Sequence, residues 1–286
     1  MKFECFRSRS IILLYHRIAS VQPDPWSLCV TPQHFAEHLD VLHKYRRTRL
    51  DQLQPGGWSV DRGLSVAITF DDGYADNFLV AQRLLMQHDT PATFFIATGC
   101  IDAHREFWWD ELERIVFQSS PTASMEERYF SLYERLQPLS HEARRRVLDQ
   151  MLDERGQPPV RRPSRRTLTS EELKELASES LFEIGAHTVT HPVLAEQPMD
   201  VQEREIRDSK EWLESFLRRP ITSFSYPHGG KNHYTAATVR AVRHAGFSRA
   251  CTTEFHPIGR RDSPWEWGRL QVTDIDGEQF EKLLFT

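Results

Sequence analysis

The sequence predicts an α/β fold: a mostly parallel sheet, closed or nearly closed into a β/α barrel. Three observations carry that expectation. Short apolar runs of strand length recur along the 286 residues. Amphipathic helical patterns separate most of them, the order expected when helices pack outside a parallel sheet. About seven such runs are present, enough to close a barrel, although periodicity alone does not separate a barrel from an open sheet.

The elements follow in order. Ile11 to Tyr15 reads as a buried strand. Thr31-Pro32 supplies an N-cap and a proline at the first helical position, and Phe35, Leu39 and Leu42 follow at helical spacing. Ser65 to Phe70 is the second strand, and Phe78, Ala81, Leu84 and Leu85 mark one side of the helix after it. Further strands are expected at Thr93 to Ala97, Phe182 to Ala186, Ile221 to Tyr226 and Ser248 to Thr252. A last short strand at Arg269 to Thr273 precedes a final helix.

One stretch breaks the rhythm. Residues 106–166 hold about three helical patterns and no strand, so they read as a helical insertion within a single domain of residues 1–286. The insertion carries Arg144-Arg145-Arg146 and ends in Arg161-Arg162-Pro163-Ser164-Arg165-Arg166, which reads as a flexible basic linker. A solvated surface is the plain expectation for these arginines; a face for an anionic substrate or for peripheral membrane contact is the alternative. Thr169 then caps a new helix, with Glu172 as its capping-box partner.

Composition excludes several classes. With 39% hydrophobic and 27% charged residues the chain can bury a core. A net charge of -5 offers no footprint for nucleic acid. The apolar runs fall far short of the roughly 20 residues of a transmembrane helix. Cys5, Cys29, Cys100 and Cys251 are far apart and form no Cys-x-x-Cys pair, which argues against a thiolate zinc site or a disulfide framework. Met1 to Ser10 carry charges at Lys2, Glu4, Arg7 and Arg9, and the apolar run behind them is shorter than the roughly 7–15 residues of a signal core. A cytoplasmic location is therefore expected.

Chemistry concentrates at two predicted strand ends. Thr69-Phe70-Asp71-Asp72-Gly73 closes one strand with adjacent carboxylates and a glycine. In parallel β/α folds active sites gather at such ends, whereas the bland reading is an Asp-Gly turn. His187-Thr188-Val189-Thr190-His191 follows another strand and places two imidazoles four residues apart. Imidazole with carboxylate suits zinc, and also cobalt, nickel or iron. The helical zinc-protease motif is absent, because Thr188 stands where its glutamate would be.

Together these motifs resemble those of the polysaccharide deacetylases, carbohydrate esterase family four, also called the NodB homology domain. Thr-Phe-Asp-Asp-Gly and His-Ser/Thr-x-x-His are both complete and in order, and Pro91-Ala92-Thr93-Phe94-Phe95 and Glu183-Ile184-Gly185-Ala186 match in the flanks. The resemblance implies a distorted (β/α) barrel of seven or eight units. It implies one divalent metal ion, Zn2+ with Co2+, Ni2+ or Fe2+ as alternatives, held by Asp72, His187 and His191. Asp71 would be the general base. The substrate would be an N-acetylated amino sugar, in a glycan or a glycan precursor. A deformylase or other amidase on the same site, or a silent glycan-binding domain, is the competing reading.

Two departures matter. The third family motif commonly supplies an arginine, then Pro-Tyr-Gly; its nearest match here is Ser225-Tyr226-Pro227-His228-Gly229, with Ser225 at the arginine position and His228 at the tyrosine position. His228 could still offer a backbone N–H to the oxyanion, with Tyr226 beside it, and Arg269 is the candidate to orient the base. The Leu-x-His of the C-terminus is missing, but Leu13-Leu14-Tyr15-His16 stands at the other end. This is similar to the permuted branch that deacetylates poly-N-acetylglucosamine, and it makes His16 the candidate general acid. Trp108 and Trp109 are candidates for stacking on a sugar ring, against packing on Leu112, Ile115 and Val116.

Overall fold

The protein is described by a computed structural model that covers residues 10–54, 63–117 and 122–285. Strands β1 (Ser10–Tyr15), β2 (Arg17–Ile18), β3 (Cys29–Val30), β4 (Arg46–Arg47), β5 (Ser65–Phe70), β6 (Ala92–Ile96), β7 (Phe182–Ala186), β8 (Ser223–Ser225), β9 (Arg249–Cys251) and β10 (Leu270–Gln271) follow in chain order. Helices α1 (Pro32–Leu42), α2 (Arg83–Gln87), α3 (Trp108–Val116), α4 (Ala123–Leu136), α5 (His141–Asp153), α6 (Ser170–Ser178), α7 (Met199–Leu217), α8 (Ala236–His244) and α9 (Gly277–Leu283) lie between and after them. The expected strands are all present, the fifth, sixth and last of them shorter than their apolar runs.

The main sheet has the order β10-β1-β5-β6-β7-β8-β9, and its ladders are parallel. It curls into a distorted (β/α) barrel. β10 lies beside β1, with Leu13 opposite Leu270, and Trp267 bridges back to Cys251 of β9. The first strand in sequence is thus the neighbour of the last, so groups from the two ends of the chain can meet. Alternate strand residues and the helix faces fill the core: Phe70 stacks on Phe94 at 4.9 Å, and Tyr15 and Phe35 meet edge to face at 5.2 Å. Such rings contribute about 1.5–3 kcal/mol each on burial.

Local chemistry sets the helix starts. Thr31 Oγ1 accepts from the His34 N–H, with Pro32 at the first turn. Thr169 and Glu172 form a reciprocal capping box. The helix after β5 differs from expectation: it opens with a wide π turn at Asn77–Gln82 before tightening into α2, and it buries Ala81 and Leu85.

Helices α3, α4 and α5 stand between β6 and β7, where the insertion was expected. They share a separate apolar cluster in which Phe107, Trp109, Leu112, Tyr129 and Leu148 close on Tyr74 of the barrel.

The arginines of this region correct the sequence expectation. Arg144 is buried and donates to the carbonyls of Leu136, Gln137 and Leu139, the free end of α4. Arg162 engages both oxygens of Glu106 and reaches Glu113 at 2.8 Å. Arg165 is buried against Glu113, and Arg166 pairs with Glu172. In the stretch after α5 the guanidinium groups of Arg162, Arg165 and Arg166 are engaged by carboxylates and are not simply solvated. Its guanidinium groups neutralise acids that α3 and its approach bury, because an unpaired buried carboxylate is costly. The charged start at Met1 and Cys5 lies outside the described residues.

Candidate active site

The site is assembled from strand ends. β5 stops at Phe70, and the Asp71 N–H donates to Tyr15 O of β1 at 3.0 Å. The chain then turns sharply. Asp72 has φ 77° and Gly73 φ 83°, and a Cβ on Gly73 would lie 3.2 Å from Ile96 Cδ1. Glycine is required for this turn, and the turn aims the two carboxylates in different directions.

Asp71 faces Arg269. Its oxygens accept two 2.7 Å bonds from Nη1 and Nη2, and Ser225 Oγ donates to Oδ2 at 3.1 Å. Arg269 is fully buried and also donates to Thr69 Oγ1 and Thr252 O. Burial pushes the Asp71 carboxyl up, but the guanidinium and His187 outweigh it and hold the group below its ordinary value. Asp71 is therefore an ionised carboxylate.

Asp72 faces the histidines. Its Oδ1 lies 3.5 Å from His187 Nε2 and 3.3 Å from His191 Nε2. The three donor atoms lie within 4.8 Å of one another. The His187 Nδ1–H donates to Ser225 O at 2.7 Å, which fixes the ring and turns Nε2 toward the cluster. Burial raises the Asp72 carboxyl, yet bonds from both imidazoles bring it well below its ordinary value. Burial lowers His187, and the Asp71 and Asp72 charges more than reverse this. The donor set fits a divalent transition cation: two imidazole nitrogens and a carboxylate converge, and the field that draws a proton to His187 draws a cation equally.

The loop with the histidines is strained and braced. Thr188, His191 and the facing His228 all have left-handed backbone, with φ of 63°, 55° and 60°. Glu205 of α7 accepts from the N–H groups of Val189 and Thr190, both at 2.8 Å, and from Thr190 Oγ1 at 2.6 Å. The His191 N–H donates to Thr188 Oγ1. Such strain persists only where the surroundings over-determine it. Glu205 and the Ser225 carbonyl were not found from sequence, since neither belongs to a motif that signals bracing.

The remaining candidates divide. His16 follows β1 and lies within the field of Asp72, Asp71 and Arg269; burial lowers its pKa while the two carboxylates oppose that. His228 sits 4.7 Å from His191, ring to ring, and neither its backbone N–H nor its Nε2 meets an acceptor or donor among the described residues. Trp109 lies 4.9 Å from His191 and donates to Tyr74 Oη, which in turn donates to Asp110. Its ring stacks on Phe107 at 4.4 Å, so it is a packed wall and not an open platform. Trp108 is likewise covered, by Arg144 at 4.5 Å and Tyr133 at 4.6 Å. Tyr226 is a correction: its hydroxyl donates to Trp265 O, its N–H donates to Cys251 O, and its ring stacks on Tyr234 in the core.

The chain's likeness to known proteins fits this fold. The family model for polysaccharide deacetylase matches residues 61–250. That stretch contains Asp71, Asp72, His187, His191 and His228, and leaves His16 and Arg269 outside. YxkH of Bacillus subtilis strain 168, a protein named for the same family, is 24% identical over 269 residues, spanning 92% of this chain and 71% of its own. Among solved structures, the Streptococcus pyogenes deacetylase PplD in complex with acetate superposes with a TM-score of 0.67 at 20% identity, covering 97% of this chain and 98% of its own. IcaB from Ammonifex degensii gives 0.66 at 19% identity, with 98% of both chains covered. The structural likenesses speak for the fold alone, whereas the model match runs across more than half of the sequence and takes in both motifs. The chain belongs to the polysaccharide deacetylase family.

Proposed function

We propose that this protein is a metal-dependent hydrolase that removes the N-acetyl group from an amino sugar in a glycan or glycan precursor. The observation that carries the reading is the division of labour between neighbours. Asp71 is clamped by Arg269 through both oxygens, while Asp72 converges with two histidines, their donor atoms within 4.8 Å of one another.

Asp72, His187 and His191 would hold the metal. When bound, a divalent cation supplies Lewis-acid polarisation of the amide carbonyl and lowers the pKa of water toward neutrality. Asp71 takes the proton of the attacking water; Arg269 keeps the carboxylate ionised and fixes its orientation. The His228 N–H is available to the carbonyl oxygen as charge develops there. His16 gives a proton to the departing nitrogen, which is otherwise a very poor leaving group. The packed wall of Phe107 and Trp109 excludes water from one side of the triad.

A glycan precursor in a reducing compartment is the finer reading. The free state of Cys29, Cys100 and Cys251 supports it. No helix among the described residues is long and apolar enough to cross a membrane.

The test is release of acetate, and separately of formate, from N-acyl sugars, sugar nucleotides and oligomers, before and after a chelator. Acetate release that the chelator abolishes and added metal restores is expected. Chelator-insensitive release, or none from any substrate, would overturn the reading. A clear preference for long polymer would remove only the precursor part.

A further inference from the structure

We propose a second divalent-cation site, formed by Asp40, His43 and His88 on the opposite face of the barrel. α1 ends at Leu42, and His43 continues its helical backbone with φ -58°. Asp40 and His43 are three residues apart and therefore share one face of the helix. α2 ends at Gln87, and His88 is its C-cap. The two helix ends bring these side chains together: His43 Nε2 lies 3.3 Å from His88 Nδ1, and His88 Nδ1 lies 3.4 Å from Asp40 Oδ1. All three donor atoms fall within 4.8 Å of one another.

Those separations are the edges of a coordination polyhedron. Nitrogen and oxygen ligands about 2.0–2.1 Å from a tetrahedral zinc stand about 3.3–3.4 Å apart. The two Asp72 edges of the proposed metal triad, 3.3 and 3.5 Å, match the two His88 edges here. Hydrogen bonding accounts for the surface cluster poorly. His88 Nδ1 faces an imidazole nitrogen and a carboxylate at once, one N–H cannot serve both, and both contacts exceed the usual 2.9–3.0 Å. A cation between the three atoms satisfies them together.

The surroundings favour a cation. Both α1 and the helical run ending in α2 point their C-termini, the negative ends of their dipoles, at this point. The His88 carbonyl is held by Arg47 Nη1 at 2.7 Å and Thr90 Oγ1 at 3.0 Å, which fixes the cap. The Arg47 charge is thereby directed to that carbonyl, and Nη1 also donates to Thr90 Oγ1 at 2.9 Å. The Asp40 side chain is 72% exposed and that of His88 19%, so the site can load from solvent and complete its shell with water. Helix C-termini lead into strand starts, so the site lies away from the catalytic strand ends. Conserving geometry there serves stability and not chemistry. The cation would clamp α1 to α2.

The test is Co2+ stoichiometry by equilibrium dialysis of metal-stripped protein with elemental analysis. Two Co2+ per chain are expected for the wild type, one for H43A and for H88A, one for H187A, and none for H43A/H187A. H43A should keep deacetylase activity within about twofold, since it touches no group of the reaction. Co2+ should raise the thermal midpoint of H187A but not of H43A/H187A. One Co2+ in the wild type and in H43A alike, or two retained by both H43A and H88A, would overturn the proposal. Because H187A and H43A report on separate triads, the two metal readings fail independently.

Discussion

Buried carboxylates at the strand ends and on α3 have their pKa values moved in opposite directions. At the strand ends, Asp71 and Asp72 are 2% and 3% exposed, and both sit below their ordinary pKa. In the insertion, burial pushes Asp110 up to about 7 and raises Glu113. Residue type and burial are shared; the partners differ. Asp71 has a guanidinium on both oxygens, and Asp72 has two imidazoles. Asp110 has a neutral phenol at 2.7 Å and an arginine no closer than 3.8 Å. Charge at the strand ends is stabilised in place, which chemistry requires. Charge on Asp110, with no close cation, is tolerated only in part.

The comparison can be broken at several points. The largest effect is expected at the triad. His187→Ala should lose the catalytic metal and all measurable hydrolysis, read by metal content and acetate release; retained metal in that position would remove the core of the proposal. Asp71→Asn should keep the metal and lose about 10²–10⁴-fold in kcat, the usual worth of a general base. Full activity in that variant would place the base elsewhere.

Arg269→Met tests why Asp71 is ionised. Removing one partner of a buried pair costs about 3–5 kcal/mol, read in urea unfolding, and a misplaced base costs about 10²-fold in rate. Since Arg269 lowers the Asp71 pKa, its loss should move the acid limb of the kcat/KM profile to higher pH. An unmoved limb would separate Arg269 from the base.

His16→Ala should slow amide substrates more than activated esters, because a good leaving group needs no proton. Equal losses on both would be incompatible with a general acid at that position.

The smallest effect belongs to the insertion. The folded-state pKa of Asp110 is about 7, above its ordinary 3.8. Between those values the folded protein holds a proton that the unfolded chain has lost. Stability therefore falls as pH rises through this window, by up to about 1.4 kcal/mol per pH unit. Asp110→Asn can still accept from Tyr74 and should flatten that slope between pH 5 and 7 in urea unfolding. An unchanged slope would mean that Asp110 is ionised like Asp71 and Asp72.

Much of the molecule was legible from its sequence because the signals are local. Strand runs, the Thr31 and Thr169 caps, Asp71-Asp72-Gly73 and His187-x-x-x-His191 each lie within a few residues, where backbone geometry alone sets what can share a face or a turn. The errors were non-local. The arginines after α5 read as solvated because Glu106 and Glu113, which bury them, stand about fifty positions earlier. Tyr226 lies in a motif by position, yet its side chain turns into the core, which only the packing of Tyr234 and Trp265 reveals.

By itself the sequence determined the alternating β/α order, the helical stretch between β6 and β7, the two strand-end motifs and the family. Periodicity and short spacings are properties of neighbouring residues and survive without a fold. The tertiary structure alone decided that Arg269 reaches Asp71 from 198 positions away, that the Ser225 carbonyl orients His187, and that Glu205 braces the histidine loop. Those contacts depend on sheet register and barrel curvature. Both arise when the whole chain buries its apolar faces together, and no window of sequence contains them.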